Sequence, residues 1–147
     1  MGDAVNLASR IEGLTRHYGV DVLVGEATRD AAAEPAPLAA GEVWRWVEVD
    51  RVRVKGKRKP VTLFTPASIP AERAEQFDDE MRLWLLALAA HRLQHWDASQ
   101  ARLQGLLTAC ADSPFAGLYR QLGERTDHYR ATPPPADWDG AHTFESK

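Results

Sequence analysis

Asn6 and Arg10 stand four positions apart in the opening string Gly2-Asp3-Ala4-Val5-Asn6-Leu7-Ala8-Ser9-Arg10-Ile11-Glu12. On a helix that spacing stacks them one turn apart on the same face. An amide that both donates and accepts, beside a guanidinium fork, suits a ligand carrying a ribose and a phosphate. The bland alternative is a polar stripe on a surface helix. Other residues of reactive type are less well placed. His91 and His95 share the same spacing, which zinc sites use, but Arg92 stands where a zinc protease carries its glutamate. No third ligand is evident in the sequence, so this pair reads as a solvated helix face. The lone Cys110 has no His or Asn constellation and reads as a small buried residue. The basic run Arg51, Arg53, Lys55, Lys57, Arg58 and Lys59 lacks interleaved aromatics for stacking bases, and its alternation with valines is that of a half-buried strand.

The elements that must position these residues follow from periodicity. Asp3 is placed to cap a first helix, along which Ala4, Leu7, Ala8, Ile11, Leu14, Thr15 and Tyr18 recur at helical spacing. Gly19 is placed to stop it. Asn6, Arg10, Gly13 and His17 run as a second stripe, at the edge of the core-facing surface. Asp21 to Val24 reads as a short buried strand, and Glu26 to Ala33 as a short helix opened by Gly25. The stretch from Glu34 to Gly41, rich in Pro and Ala, reads as a loop. Val43, Arg45, Val47 and Val49 alternate with Trp44, Trp46 and Glu48, which predicts a strand. Arg51 to Lys55 predicts a second, and Val61 to Phe64 a closing strand behind Pro60. Residues 1–66 therefore predict an α+β domain, a sheet layered with helices.

Pro66 and Pro70 frame an expected linker over 67–76, after which strand signals vanish. Phe77, Met81, Trp84, Leu85, Leu88 and Leu93 mark a helix from about Ala71 to Gln94. Ala98, Ala101, Leu103, Leu106 and Leu107 mark another, and Ser113 to Tyr129 a third. Over 77–130 this is an all-α, tetratricopeptide-like helical hairpin in a single copy, which must lean on another domain or partner to bury its face. The tail 131–147, with Pro133-Pro134-Pro135 and Asp137-Trp138-Asp139-Gly140, is predicted to be extended and superficial.

Composition narrows the function classes. With 44% hydrophobic and 27% charged residues, the 147-residue chain is that of a globular protein, and a net charge of −3 argues against general nucleic-acid binding. A single cysteine excludes an internal disulfide framework and fits a reducing compartment. Neither a long apolar run nor a signal-like start is present, so no membrane segment and a cytoplasmic location are expected.

The string Gly2–Glu12 resembles the signature helix of class III nucleotidyl cyclases, and Val54-Lys55-Gly56-Lys57 follows it at a family-like distance. The resemblance implies the C-terminal part of the ferredoxin-like cyclase sheet. It implies that Asn6 positions the ribose, Arg10 neutralises charge at the attacked α-phosphate, and Lys55 holds the terminal phosphates. The implied reaction converts ATP to 3′,5′-cyclic AMP and diphosphate, with adenylate favoured over guanylate. Such cyclisation is an in-line attack by the ribose 3′-oxygen, catalysed mainly by positioning and charge stabilisation. An Arg fork bridges phosphoryl oxygens, and a Lys serves as a point charge for a polyphosphate end.

Family members use Mg or Mn, held by two aspartates of a front half that this chain lacks; Asp3 is not one of them. They act as homodimers, with metal ligands from one subunit and the Asn/Arg pair from the other. A fragment carrying only the second half-site is therefore expected to be inactive alone, and Met1 to be an internal residue of a longer protein. The helical hairpin and the string Pro-Pro-Pro-Ala-Asp-Trp-Asp-Gly resemble the C-terminal extension of bacterial receptor-type cyclases. That likeness implies a full-length protein anchored in a membrane, with this part on the cytoplasmic side. The alternative is a non-enzymatic interaction module built on the hairpin, which Trp84 or Trp96 exposed in a groove would favour.

Overall fold

The computed structural model describes residues 2–32, 40–54 and 59–144, apart from the side chains of residues 2–6. It is a mixed α+β protein with a four-stranded sheet and several helices, in two compact units. One unit is Met1–Glu75 with Ala141–Lys147, and the other is Gln76–Gly140. No described helix is long and apolar enough to cross a membrane.

The first unit opens with α1 (Gly2–Glu12) and α2 (Thr15–Tyr18). The sequence predicts one unbroken helix here, but Gly13 and Leu14 form a turn. Gly13 is the poorest helix former available short of proline. The Leu14 amide reaches back only three residues, to the Ile11 carbonyl at 2.9 Å, and the Thr15 hydroxyl donates to the Glu12 carbonyl at 2.9 Å. Gly19 then ends α2 at φ 70°, in the left-handed region that glycine enters without a Cβ penalty. Ile11 and Tyr18 are buried and Leu7 and Leu14 half-buried, so the apolar stripe faces inward.

A short strand, β1 (Val24–Gly25), leads into α3 (Glu26–Ala31). A Cβ on Gly25 would stand 3.2 Å from Val61 Cγ1, so glycine lets β1 close on its neighbour. That neighbour is β3 (Val61–Pro70), which pairs antiparallel with both β1 and β2 (Glu42–Arg53). The two strands expected between Val43 and Lys55 are one strand with a bulge between Glu48 and Asp50. A bulge adds one residue and reverses which side chains face the core. Valines at odd positions up to Val49 thus hand over to Val52 and Val54, and all but Val43 are buried.

β3 also runs further than expected, through the segment read as the start of a linker. Pro66 and Pro70 stand opposite Trp46 and Glu42, on the same alternate set of ladder positions. Prolines are tolerated where the missing N–H points away from the partner strand. The sheet order is β1-β3-β2-β4, where β4 (His142–Thr143) is parallel to β2.

The second unit is formed by α4 (Ala74–Arg92, begun just before the division), α5 (Trp96–Ala109) and α6 (Ala116–Ala131). Trp84, Ala87, Leu88, Leu103, Leu106, Tyr119 and Leu122 make its core. Trp84 and Tyr119 pack with ring centroids 5.1 Å apart, and buried Ser99 lets α5 approach α4, donating to the Ala87 carbonyl at 3.0 Å. At the α4–α5 turn Gln94 takes φ 63°, a left-handed conformation that costs a non-glycine residue roughly 1–2 kcal/mol. Its side chain donates to the Pro135 carbonyl at 2.8 Å and fastens the tail to the turn. Trp138 in that tail packs against His91, Trp96 and Tyr129 at centroid distances of 5.6, 6.2 and 5.1 Å.

Candidate functional site

Asn6 and Arg10 both lie on α1, one helical turn apart. Arg10 is exposed, in the last turn of the helix, where a cation also complements the helix dipole. The Asn6 side chain and all of Lys55 lie outside the described residues. The strand that leads to Lys55 is described as far as Val54, which is 4% exposed and anchored in the core. The chain therefore places one candidate on a helix anchored in the core by Ile11 and anchors the strand just ahead of another.

What holds these two segments together is a buried polar contact. Tyr18 at the end of α2 donates from its hydroxyl to Asp50 Oδ2 at 2.6 Å, and Asp50 Oδ1 accepts the Arg51 amide at 2.8 Å. Both oxygens of a carboxyl group that is 4% exposed are thereby engaged, as burial of a polar group requires. Asp50 sits at the bulge, and its hold on the Arg51 amide stabilises the reversed register beyond it.

The C-terminal residues complete this end of the unit. The Phe144 amide donates to the Arg53 carbonyl at 2.9 Å, and Arg53 Nη1 reaches Thr143 Oγ1 at 3.3 Å. The Phe144 ring meets His17 edge-on at 5.1 Å, His142 edge-on at 4.8 Å, and Tyr18 at 6.4 Å.

The remaining candidates separate. His91 is not on a solvated face as expected but buried, with Nδ1 2.8 Å from Thr126 Oγ1, because α6 packs over it, while His95 is exposed ahead of α5. Among the described residues no three His, Cys, Asp or Glu side chains converge as metal ligands. Cys110 is half-buried, its thiol pKa raised by burial and then by Glu80. Trp84 is core, whereas Trp96 lines a cavity of about 530 Å³ with Gln94, His95, Asp97, Ala98 and Arg130.

Sequence reasoning did not single out Tyr18, Asp50 or Phe144 as site-organising residues. One signal was present: the valines change parity between Val49 and Val52, with an aspartate in the gap. Nothing comparable marked Phe144, whose partners lie far away in sequence.

Comparison with known proteins finds one informative likeness. Over 65 residues, 44% of this chain, the sequence is 38% identical to an adenylate cyclase of Anabaena cylindrica. The matched region is 12% of that protein's length, so the chain spans a small part of its relative. No protein-family model matches the chain. No solved structure matches it either.

Proposed function

We propose that this chain supplies the ribose- and phosphate-binding half of an adenylate cyclase site, with Asn6 and Arg10 on α1 and Lys55 beyond β2 as its working residues. The observation that carries the reading is the 38% identity to an adenylate cyclase, joined to a helix with Asn6 and Arg10 one turn apart. In this reading Asn6 orients the ribose so that the 3′-oxygen lies in line with the α-phosphate. Arg10 bridges the phosphoryl oxygens as charge builds on them, and Lys55 holds the departing diphosphate. The four-stranded sheet is then the back portion of a ferredoxin-like cyclase sheet, and in the full-length protein, a homodimer, the metal-binding half comes from the partner subunit.

The test pairs the purified chain with a class III cyclase subunit that keeps its metal-binding aspartates but has lost its own Asn and Arg. Cyclic AMP formation is expected from the mixture and from neither component alone. Synthesis by the 147-residue chain alone would refute the shared-site arrangement. A silent mixture, no different with Arg10→Ala, would refute the cyclase role itself.

A second reading rests on Trp96, half-buried at the rim of the 530 Å³ cavity in the helical unit. There the helical hairpin binds a protein segment and the sheet unit is scaffold. Loss of partner capture in Trp96→Ala, with Arg10→Ala fully competent, is the result that would favour it.

A further inference from the structure

The residues that follow the helical unit return to the sheet, and they touch both segments on which the proposed site depends. In chain order the helical unit, Gln76–Gly140, lies between β3 and β4, the strands that flank β2 on its two sides. β4 pairs with β2 at Val52 and Arg53, and the next residue, Phe144, donates its amide to the Arg53 carbonyl at 2.9 Å. Arg53 precedes Lys55 by two positions. The same Phe144 lays its ring against His17 at 5.1 Å and Tyr18 at 6.4 Å, both on α2, which the Gly13–Leu14 turn joins to α1 and its Arg10. Ala141, just before the strand, is 1% exposed, so the return is packed into the unit.

We infer that Phe144, with Thr143, is a positioning residue for the nucleotide site: it sets the spacing between the Asn6–Arg10 helix and the strand leading to Lys55. This inference rests on the cyclase reading. Two contacts of different kinds act together. The main-chain bond to Arg53 fixes β2, and the ring fixes α2 through His17 and Tyr18. The Tyr18–Asp50 bond holds the same two segments, so Phe144 acts as a lock over a joint that already exists.

The variants that test this are Phe144→Ala, Phe144→Leu and Phe144→Tyr in the complete chain. Hydrogen exchange is expected to accelerate at the Tyr18 and Arg51–Val54 amides of Phe144→Ala, with residues 80–130 unchanged. In the mixed-subunit assay, KM for ATP should rise about three- to tenfold while kcat changes less, as expected for loss of an aromatic contact that orients a binding element. Phe144→Tyr should restore wild-type kinetics and Phe144→Leu should not, because edge-on contact with His17 needs a ring. Reduced kcat at unchanged KM marks nothing more than a smaller folded fraction and would overturn the inference. So would unaltered kinetics in a mixture that is active with wild-type chain, leaving the cyclase reading intact. Inactivity of the wild-type mixture would remove both.

Discussion

The phenol of Tyr18 donates a 2.6 Å hydrogen bond to Oδ2 of Asp50, across 32 positions of sequence, and both residues are buried. The bond joins α2, the short helix that follows the Arg10 helix, to the strand that runs toward Lys55. Tyr18→Phe removes the donor, and loss of this buried hydrogen bond should cost about 1–3 kcal/mol. A lower urea midpoint at unchanged m is expected. Asp50→Ala should cost more, since it removes the acceptor of both the Tyr18 hydroxyl and the Arg51 amide. An unshifted midpoint in Tyr18→Phe would show that the contact is not part of the fold's stability.

Arg10 is exposed, so its removal separates function from folding. Arg10→Ala should leave stability within about 0.5 kcal/mol, as surface substitutions do. Its effect on complemented cyclase activity should be a loss of about 10²–10³-fold, the scale of deleting one transition-state donor. Arg10→Lys should recover little, because a point charge cannot bridge two phosphoryl oxygens. Full activity in a stable Arg10→Ala would remove the residue from the site.

In the helical unit, the Thr126 hydroxyl gives its only proton to the Leu122 carbonyl at 2.7 Å. The 2.8 Å contact with His91 must then run from His91 Nδ1–H to Thr126 Oγ1, which assigns the neutral ring to the Nδ1-protonated tautomer. Nitrogen chemical shifts of the His91 ring should report that tautomer. Thr126→Val, nearly isosteric, leaves the buried Nδ1–H without its acceptor and should cost about 1–3 kcal/mol, whereas Thr126→Ser should keep most of the stability. The opposite tautomer in the spectrum would show the assignment to be wrong.

Tyr119 titrates above the ordinary tyrosine range, first because it is buried and then because its hydroxyl donates to Glu80 Oε2. An unfolded tyrosine ionises near pH 10, while the folded phenol stays protonated well beyond that. The stability this contributes is intact below about pH 10 and is lost as pH climbs from there toward the raised folded value. Unfolding of wild-type chain should therefore become easier between about pH 9 and pH 11 by more than that of Tyr119→Phe. Parallel pH profiles for the two proteins would contradict the buried Tyr119–Glu80 arrangement.

Local pattern was enough to place the helix of Asn6 and Arg10, the stop at Gly19 and the three helices from α4 to α6, with boundaries displaced by a few residues. Where the reading differed, two local preferences competed. Gly13 and the Thr15 hydroxyl broke a helix whose apolar stripe ran on unbroken. Prolines that normally end strands were accommodated in β3 by their place in the ladder.

The sequence by itself determined the type of most elements, because helical and strand periodicities are properties of neighbouring residues, but not every inward face: Leu85 and Leu93, in the apolar stripe expected of the first long helix, are exposed. It also placed Asn6 and Arg10 on one helix a turn apart, since spacing along a helix needs no distant partner. Tertiary structure alone decided that the valines of β2 share one bulged strand, that Asp50 is buried against Tyr18, and that Phe144 returns beyond the helical unit to close on Arg53 and His17. A two-residue parallel strand has almost no local signature. It forms because the edge of β2 leaves main-chain groups to be paired, a condition that exists only once the rest of the unit has folded.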